Sequence, residues 1–247
     1  MRIVVCVKRV PDTESAIRVA ADGASVLTEG LSYIINPYDE YAIEAALQLK
    51  EAQGGEVVLL CVGVAEADST LRKGLAMGAD EAVLLRVGHD LEEPLPTARL
   101  LAEWLKAHPA DLVLAGKQGV DFDHGAVPGM LAELAGLPSA SAICSLSLDG
   151  AAVVVEREIE GGRERIRLPL PCVLSADKGL NEPRYASLKG IMMAKKKPLT
   201  VEDCTASSGW TTRLETPPAR PAGRIVGSGP AAAGELLRLL KEEARVL

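Results

Sequence analysis

Aromatic residues are scarce in this chain: they make up 3% of its 247 residues and include a single phenylalanine. Proteins that bind single-stranded nucleic acids stack the bases on aromatic side chains, so this scarcity disfavours such a surface. The formal net charge of −7 gives a second reason, because nucleic-acid-binding surfaces are basic. The composition therefore predicts a protein that does not bind nucleic acid.

Long apolar runs, paired cysteines and clustered histidines are also missing. No run approaches the roughly 20 apolar residues that cross a bilayer, so we expect no transmembrane segment. The N-terminal segment is too short and too strand-like for a signal peptide. The five cysteines are odd in number and show neither a CxxC pair nor a metal-binding spacing. These absences predict buried, reduced thiols, no metal site and a cytoplasmic protein.

The first half of the chain alternates between strand-like and helix-like segments. Apolar runs that suit buried strands occupy residues 2–7, 56–62, 82–86 and 111–115. Helical spacing predicts helices over residues 39–53, 69–77, 96–107 and 125–135. Asp39 is available as the cap of the first of these helices. This alternation predicts an α/β fold in which a parallel twisted sheet is flanked by helices on both faces.

The pattern changes from about residue 143. Short alternating strands with turns at Asp149-Gly150 and Gly161-Gly162 predict an added antiparallel hairpin. Residues 200–230 lose periodicity, and an amphipathic helix is expected over residues 231–245. We therefore expect an α/β domain over residues 1–199 and an extended C-terminal arm over residues 200–247.

Ligands of open α/β sheets lie beyond the carboxyl ends of the strands, which directs attention to the loops that follow them. The segment 116–125 follows a predicted strand and precedes a predicted helix, and it contains three glycines. It is neither a GxGxxG nor a Walker A sequence. Read alone, it fits an ordinary strand-to-helix loop as well as it fits an anion site.

Residues 180–199 combine a loop, an apolar cluster and a compact run of lysines. The apolar side chains are those of Leu188, Ile191, Met192 and Met193, and the lysines that follow them are Lys195, Lys196 and Lys197. An apolar cluster with a basic collar is typical of a docking element over residues 180–197. A core-packing helix followed by a solvated charge run is the alternative.

This stretch resembles the recognition loop of the electron transfer flavoprotein beta subunit family. Residues 155–162 and 169–177 are similar to the signature region of the same family, and blocks near the N-terminus and around residues 116–129 extend the resemblance to nearly the whole chain. The resemblance implies a Rossmann-like, adenine-nucleotide-binding domain. It also implies a heterodimer, with the arm wrapping onto an alpha subunit.

The same resemblance implies an electron carrier subunit without catalytic residues, rather than an enzyme. Such a protein accepts electrons from flavin dehydrogenases, for example acyl-CoA dehydrogenase, and delivers them to a quinone oxidoreductase. Two cofactors are expected: FAD, held mainly by the alpha subunit, and a structural AMP in this chain.

The family's cofactor-lining positions can be carried onto this chain one by one. They are Cys6, Asn36, Pro37, Tyr38, Asp39, Val62, Gly63, Gly116, Lys117, Gln118, Gly119, Asp121, Asp123, His124, Gly125, Ala126 and Val127. The AMP phosphate is expected on the segment from residue 116 onward. Thr13 stands where some relatives place a tyrosine against the flavin. Glu158 is expected to pair with a basic group on the partner's mobile flavin domain.

Two further functions stay open at this point. In a bifurcating flavoprotein of the same type, a second FAD would take the place of AMP. A stand-alone nucleotide-binding or nucleotide-hydrolysing protein of the same fold is the other, since fold does not determine function.

Overall fold

The computed structural model describes residues 1–206, 213–220 and 222–247. The chain forms two compact units. The first contains residues 1–17 and 27–212, and the second contains residues 18–26 and 213–247.

A nine-stranded sheet forms the centre of the first unit, and two further short strands form a separate two-stranded sheet. The strands are β1 (Arg2–Cys6), β2 (Arg9–Pro11), β3 (Tyr33–Ile35), β4 (Glu56–Gly63), β5 (Glu81–Arg86), β6 (Leu112–Gly116), β7 (Ser139–Asp149), β8 (Ala152–Ile159), β9 (Gly162–Pro169), β10 (Cys172–Ala176) and β11 (Leu199–Asp203). The order in the large sheet is β11-β5-β4-β1-β6-β10-β7-β8-β9. The strands from β11 to β7 are parallel, and β8 and β9 extend the sheet as an antiparallel hairpin.

Five helices accompany this sheet: α1 (Pro37–Gln53), α2 (Ala67–Met77), α3 (Pro94–Ala107), α4 (Val127–Ala135) and α5 (Leu188–Ala194). Helices α1 and α2 pack on one face, in a core that includes Ile43 and Leu71. Helices α3 and α4 pack on the other face, in a core that includes Leu101 and Leu131. Because both faces are covered, the central parallel strands can consist almost entirely of apolar residues. The expected α/β fold with its antiparallel hairpin is confirmed.

The start of α1 corrects one expectation from the sequence. Asn36 is the N-cap residue, its side chain makes no capping bond to the helix, and Pro37 begins the helix. Proline suits this first position because the amide that it lacks would have no partner in the helix. Asp39 therefore lies inside the first turn and is not the cap.

Four short strands lie outside the segments that the apolar pattern predicts, namely β2, β3, β10 and β11. Strand β10 is buried between β6 and β7, and β11 pairs with β5 at the edge of the large sheet. Strand β11 also crosses the boundary expected between residues 199 and 200. Strand β3 does not join the large sheet but pairs with β2 in antiparallel fashion.

The second unit contains a short loop and the C-terminal segment. Its described residues include a bridge between Val19 and Val26, a 3₁₀ helix at Pro230–Ala232 and α6 (Ala233–Glu242). Helix α6 is shorter than the helix expected over residues 231–245. Residues 207–212 and 221 of the expected arm lie outside the described residues.

Candidate functional site

The carboxyl ends of β1 and β6 lie side by side at the point where the strand order reverses. Chain order places β4 and β5 on one side of β1, whereas β6 returns to its other side. Cys6 and Ala115 are paired neighbours at these strand ends. Such a switch point is the usual ligand crevice of an open parallel sheet. We name residues 6–9, 36–39, 62–63 and 116–127, which lie at or follow these strand ends, the strand-end site.

Asn36 connects the start of α1 to the loop that follows β6. Its Nδ2 donates to the backbone carbonyl of Gln118 at 2.8 Å, and its Oδ1 accepts from the amide of Val120 at 3.1 Å. Its backbone amide donates to the carbonyl of Lys8 at 2.9 Å. The side chain is 1% exposed, so these bonds are shielded from water. The buried side-chain amide of Asn36 thus holds the loop after residue 117 in place.

Asp39 connects the same helix to β6 and to the segment after β1. Its Oδ1 accepts from the amide of Gly116 at 3.0 Å and from Nδ2 of Asn36 at 2.9 Å. Its Oδ2 accepts from the amide of Lys8 at 2.7 Å. Burial raises the pKa of this carboxyl to about 7, against the lowering effect of these three donors. Because its oxygens are engaged with the protein, Asp39 acts on the shape of the site rather than on a ligand.

Gly116 is required by the protein's own packing. A Cβ at this position would overlap Oδ1 of Asp39 and the backbone and Cβ of Tyr38. The crowding that excludes a side chain at this position therefore comes from helix α1. A Cβ on Gly119 would lie 2.6 Å from Oδ1 of Asp121.

The two lysines of the site are both paired with carboxylates. Nζ of Lys117 lies 2.9 Å from Asp177 and also stands over the ring of Tyr38, 4.9 Å from its centroid. Nζ of Lys8 lies 2.6 Å from Asp121. These carboxylates reduce the net positive charge of the site. An anion here would therefore depend mainly on backbone amides.

Contacts between its own side chains hold the loop from residue 118 to residue 126. Nε2 of Gln118 donates to Asp123 at 2.8 Å, and the rings of Phe122 and His124 stack with centroids 5.7 Å apart. Asp123 and Gly125 both have positive φ angles. The loop leads into α4, whose N-cap residue Ala126 offers no side-chain cap. The first amides of α4 therefore receive no capping bond from that side chain, as an anion-binding helix N-terminus requires.

The remaining expected site residues fall into two groups. Pro37, Val62, Ala126 and Val127 are half-buried and Gly63 is buried at the end of β4, next to the other strand ends. Cys6 points into the core on the α3–α4 face, where burial raises the pKa of its thiol far above its ordinary value. Its side chain is therefore neither ionised nor available to a ligand, which leaves only its backbone to line the site.

A second candidate region lies on α5, which carries four exposed apolar side chains in two turns. Leu188 is 83% exposed and Met192 is 72% exposed, and Ile191 and Met193 are about half exposed. We name these four residues the α5 patch. Ser187 begins the helix, because its Oγ accepts from the amide of Gly190 at 3.0 Å. Only Ala194 is buried, so α5 is neither a core helix nor an irregular loop.

The C-terminal end of α5 is held by reciprocal bonds with α2. Nη1 of Arg72 donates to the carbonyls of Ala194 and Lys197, each at 2.8 Å. In return, Nζ of Lys197 donates to the carbonyls of Leu75 and Ala79 at the end of α2. This finding corrects the expected basic collar. Lys195 and Lys196 are exposed, but the ammonium group of Lys197 caps α2 and is not free to steer a partner.

Arg184 binds two carboxylates of α1 and so holds the segment before α5 against that helix. The guanidinium of Arg184 binds Glu44 at 2.7 Å and 3.0 Å and also contacts both carboxylate oxygens of Glu51. We name these three residues the Arg184 clasp. Burial raises the pKa of Glu44, but the bonds from Arg184 outweigh burial and leave this pKa below its ordinary value. The carboxylate therefore stays ionised although its side chain is only 5% exposed.

Glu158 lies near the tip of the hairpin, and its side chain is 73% exposed. It faces Arg163 across the β8–β9 pair, with Nη2 of the arginine 3.4 Å from its carboxylate. Exposed pairs of this kind contribute about 0–1 kcal/mol, so a basic group from elsewhere can replace Arg163 at little cost.

Metal and membrane features are absent from the part of the chain that the structure describes. Within residues 1–206, 213–220 and 222–247, no group of three or more His, Cys, Asp or Glu side chains is placed to hold a metal ion. In the same residues, no helix is long and apolar enough to cross a membrane. All five cysteines are free, but only Cys6, Cys61 and Cys172 are buried, so the expectation of buried thiols holds for these three.

Comparison with known proteins gives a consistent result along the whole chain. A family model described as the electron transfer flavoprotein domain matches residues 24–207. The chain is 40% identical to the electron transfer flavoprotein subunit beta of Bacillus subtilis (strain 168), with both chains covered completely. It is 41% identical to the protein of the same name from Bradyrhizobium diazoefficiens, again over both whole chains.

The human protein named electron transfer flavoprotein subunit beta is 39% identical, over 100% of this chain and 99% of its own length. Identity at this level over full length leaves no part of either unit outside the match. Together with the sheet and its switch point, these matches show that the chain belongs to the electron transfer flavoprotein beta subunit family.

Proposed function

We propose that this chain is the beta subunit of a heterodimeric electron carrier that accepts electrons from flavin dehydrogenases and passes them to a quinone oxidoreductase. The observation that carries the proposal is the α5 patch. Four large apolar side chains are exposed on a helix that is tied to α2 at its C-terminal end and follows a segment tied to α1. Exposed apolar side chains that are ordered but not buried are typical of a docking surface.

AMP is the proposed ligand of the strand-end site. The loop of residues 117–126 and the N-terminus of α4 offer backbone amides, and the nearby lysines are already paired with carboxylates. A single phosphate group suits this arrangement better than a polyphosphate, which needs several free cations. In this assignment Asn36 and Asp39 hold the loop, and Val62, Gly63 and the backbone of Cys6 line the nucleotide.

FAD is the proposed redox cofactor of the heterodimer, held mainly by the alpha subunit. When bound, FAD supplies the acceptance and release of electrons. The contribution of this chain is structural: Tyr38 and the hairpin residue Glu158 lie on segments that would border the flavin domain. No acid, base or nucleophile of this chain is needed, so we assign it no catalytic residue.

Cofactor analysis of the purified heterodimer tests this assignment. The chain is expressed alone and together with its alpha subunit, and the nucleotides released by denaturation are identified and counted. We expect a colourless chain alone, and a yellow heterodimer that releases AMP and FAD in equal amounts. Release of FAD alone, at twice the expected amount, would identify the bifurcating type. Stoichiometric flavin on the chain alone, or failure to form a heterodimer, would favour a stand-alone nucleotide-binding protein.

A further inference from the structure

Eleven residues without helix or strand connect β10 to α5, and two side chains fasten this connection to α1. Nδ2 of Asn181 donates to the carbonyl of Tyr41 at 2.9 Å. Arg184 then makes side-chain bonds to two carboxylates, and its backbone amide donates to Glu44 at 3.2 Å. The connection is thus fixed to the helix four residues before the first residue of the α5 patch.

The Arg184 clasp joins a buried carboxylate to an exposed one. The side chain of Glu44 is 5% exposed and that of Glu51 is 58% exposed, and Arg184 spans the two. Glu44 also accepts from Nε2 of Gln48 at 2.9 Å, which holds its carboxylate in place. Planar guanidinium groups bind carboxylates with two parallel bonds, so this contact specifies direction as well as position.

The two most exposed side chains of the α5 patch contribute little to the orientation of their helix. Leu188 and Met192 are mostly exposed, so their burial does not fix the helix. Helix α5 is held on α2 at other positions: Ala194 is 2% exposed in the core, and a Cβ on Gly190 would overlap the carbonyl of Ala76. Besides this packing, two sets of bonds restrain the segment: the Arg72 and Lys197 bonds at the C-terminal end of α5, and the Arg184 clasp in the connection four residues before the helix.

We infer that Arg184 is a positioning residue that holds the α5 patch in the orientation in which an apolar pocket of the electron donor receives it. The inference rests on the proposed docking function of the patch. A partner that meets a preformed surface loses less conformational entropy on binding than one that meets a mobile segment. The guanidinium acts through the chain before α5 and does not itself touch the partner.

The test compares heterodimers that carry Arg184→Gln, Arg184→Lys or Glu51→Gln with the unaltered heterodimer. Arg184→Gln removes the clasp, and Arg184→Lys keeps the charge but not the paired geometry. Glu51→Gln removes only the exposed carboxylate, so it keeps the fold if the loss of Arg184 does not. Arg86→Gln is the matched control, because it breaks a two-bond pair with Asp203 between β5 and β11.

We expect Arg184→Gln to raise the KM for the dehydrogenase three- to tenfold and to leave kcat and the flavin spectrum unchanged. Amide hydrogen exchange over residues 185–194 should become faster. Arg184→Lys and Glu51→Gln should lie between Arg184→Gln and the unaltered protein, and Arg86→Gln should match the unaltered protein in both measurements. A loss that is merely structural would instead lower flavin content and kcat.

Leu188→Ala, measured in parallel, separates this inference from the function on which it rests. If Leu188→Ala raises KM but Arg184→Gln does not, the patch docks without needing the clasp, and the positioning role is refuted. Unchanged hydrogen exchange over residues 185–194 in Arg184→Gln would refute it as well. If Leu188→Ala has no effect on KM, both the docking function and the positioning role are overturned.

Discussion

The strand-end site and the α5 patch both depend on polar side chains that hold a segment in place, but they do so in opposite surroundings. At the strand-end site, Asn36 and Asp39 are buried and bind backbone amides and a carbonyl directly. At the α5 patch, the bonds lie at the C-terminal end of the helix and in the connection before it, and the helix itself carries exposed apolar side chains.

The energetic consequences of this difference are opposite too. A buried polar group left without its partner costs about 1–3 kcal/mol, so the strand-end site cannot be altered without destabilising the fold. An exposed apolar side chain contributes little to the fold and is free to contribute to binding. Ligand binding and stability should therefore be coupled in the first region and separable in the second.

Gly116→Val should give the largest effect and is the strictest test of that coupling. The added Cβ overlaps Asp39 and Tyr38, so either helix α1 or strand β6 must shift. We expect the free energy of unfolding to fall by about 3 kcal/mol and nucleotide retention to fall with it. Chemical denaturation and nucleotide analysis of the purified protein measure the two effects.

Gly129→Ala is the control for Gly116→Val. A Cβ at residue 129 meets nothing within 4 Å, and alanine favours the helix that contains it, so the stability of α4 should rise slightly. A Gly116→Val protein of normal stability that loses nucleotide would show that the glycine serves the ligand and not the packing of α1.

The raised pKa of Asp39 predicts that the stability of the protein depends on pH through a group of the strand-end site. Its folded pKa of about 7 lies above its ordinary value of 3.8, so the folded protein binds this proton more tightly than the unfolded chain. The resulting stabilisation is complete below the ordinary pKa and is lost as pH rises through about 7. Relative to Asp39→Asn, the protein should lose about 2 kcal/mol between pH 5 and pH 7.

Denaturation of both proteins at several pH values measures this difference, in which the effects of all other groups cancel. A stability difference that does not change between pH 5 and pH 7 would mean that the carboxylate stays ionised in the folded protein, and that its three donors outweigh its burial.

The sequence predicts the fold well where periodicity is strong. Buried runs such as residues 56–62 and glycine-marked turns such as residues 161–162 are set by local pattern, and the sheet contains them as expected. Strand β11 has five residues and an exposed face at the sheet edge, so no clear pattern distinguishes it from a loop. Its place is set by pairing with β5, which is a long-range contact.

The candidate site could be predicted by position but not by role. The neighbouring residues in sequence mark Asp39 and Lys197 as candidates, whereas the bonds that define their roles go to residues that are distant in the chain. The sequence gives one signal of the Arg184 clasp: Glu44 stands inside the apolar stretch Ala42–Leu47 of α1. A carboxylate on a buried helix face indicates that a cation must come from elsewhere.

Leu188→Ala tests whether binding and stability separate at the α5 patch. A leucine at the centre of an interface often contributes about 1.4 kcal/mol or more, which corresponds to a tenfold change in affinity. We expect the KM for the dehydrogenase to rise about tenfold, with the flavin spectrum and potential unchanged. The free energy of unfolding should change by less than about 0.5 kcal/mol, since the side chain is mostly exposed.

Leu95→Ala is the matched control for Leu188→Ala. This leucine is also exposed, but it lies on α3 at the opposite face of the sheet. Its loss should leave KM unchanged. An unaltered rate of electron transfer in Leu188→Ala, with flavin content intact, would make the α5 patch a structural element like the strand-end site.

The three consecutive lysines after α5 include two exposed side chains and one that is bonded to the protein. Their substitutions should have the smallest effects. Lys195 and Lys196 are exposed, so neutralising both to glutamine should lower the association rate with an acidic partner and weaken its dependence on salt. Stability should not change. Lys197→Gln should instead lower the free energy of unfolding by about 1 kcal/mol, because the carbonyls of Leu75 and Ala79 lose their donor.

Measuring the rate of interprotein electron transfer against ionic strength for the Lys195/Lys196 double variant and for Lys197→Gln separates the two roles. The single variant should keep the salt dependence of the unaltered protein. If Lys197→Gln reduced that dependence as strongly as the double variant did, its ammonium group would have to leave the α2 carbonyls when the partner arrives. Lys197 would then contribute to partner binding as the α5 patch does. At this residue, stabilising the fold and binding the partner would not be separable.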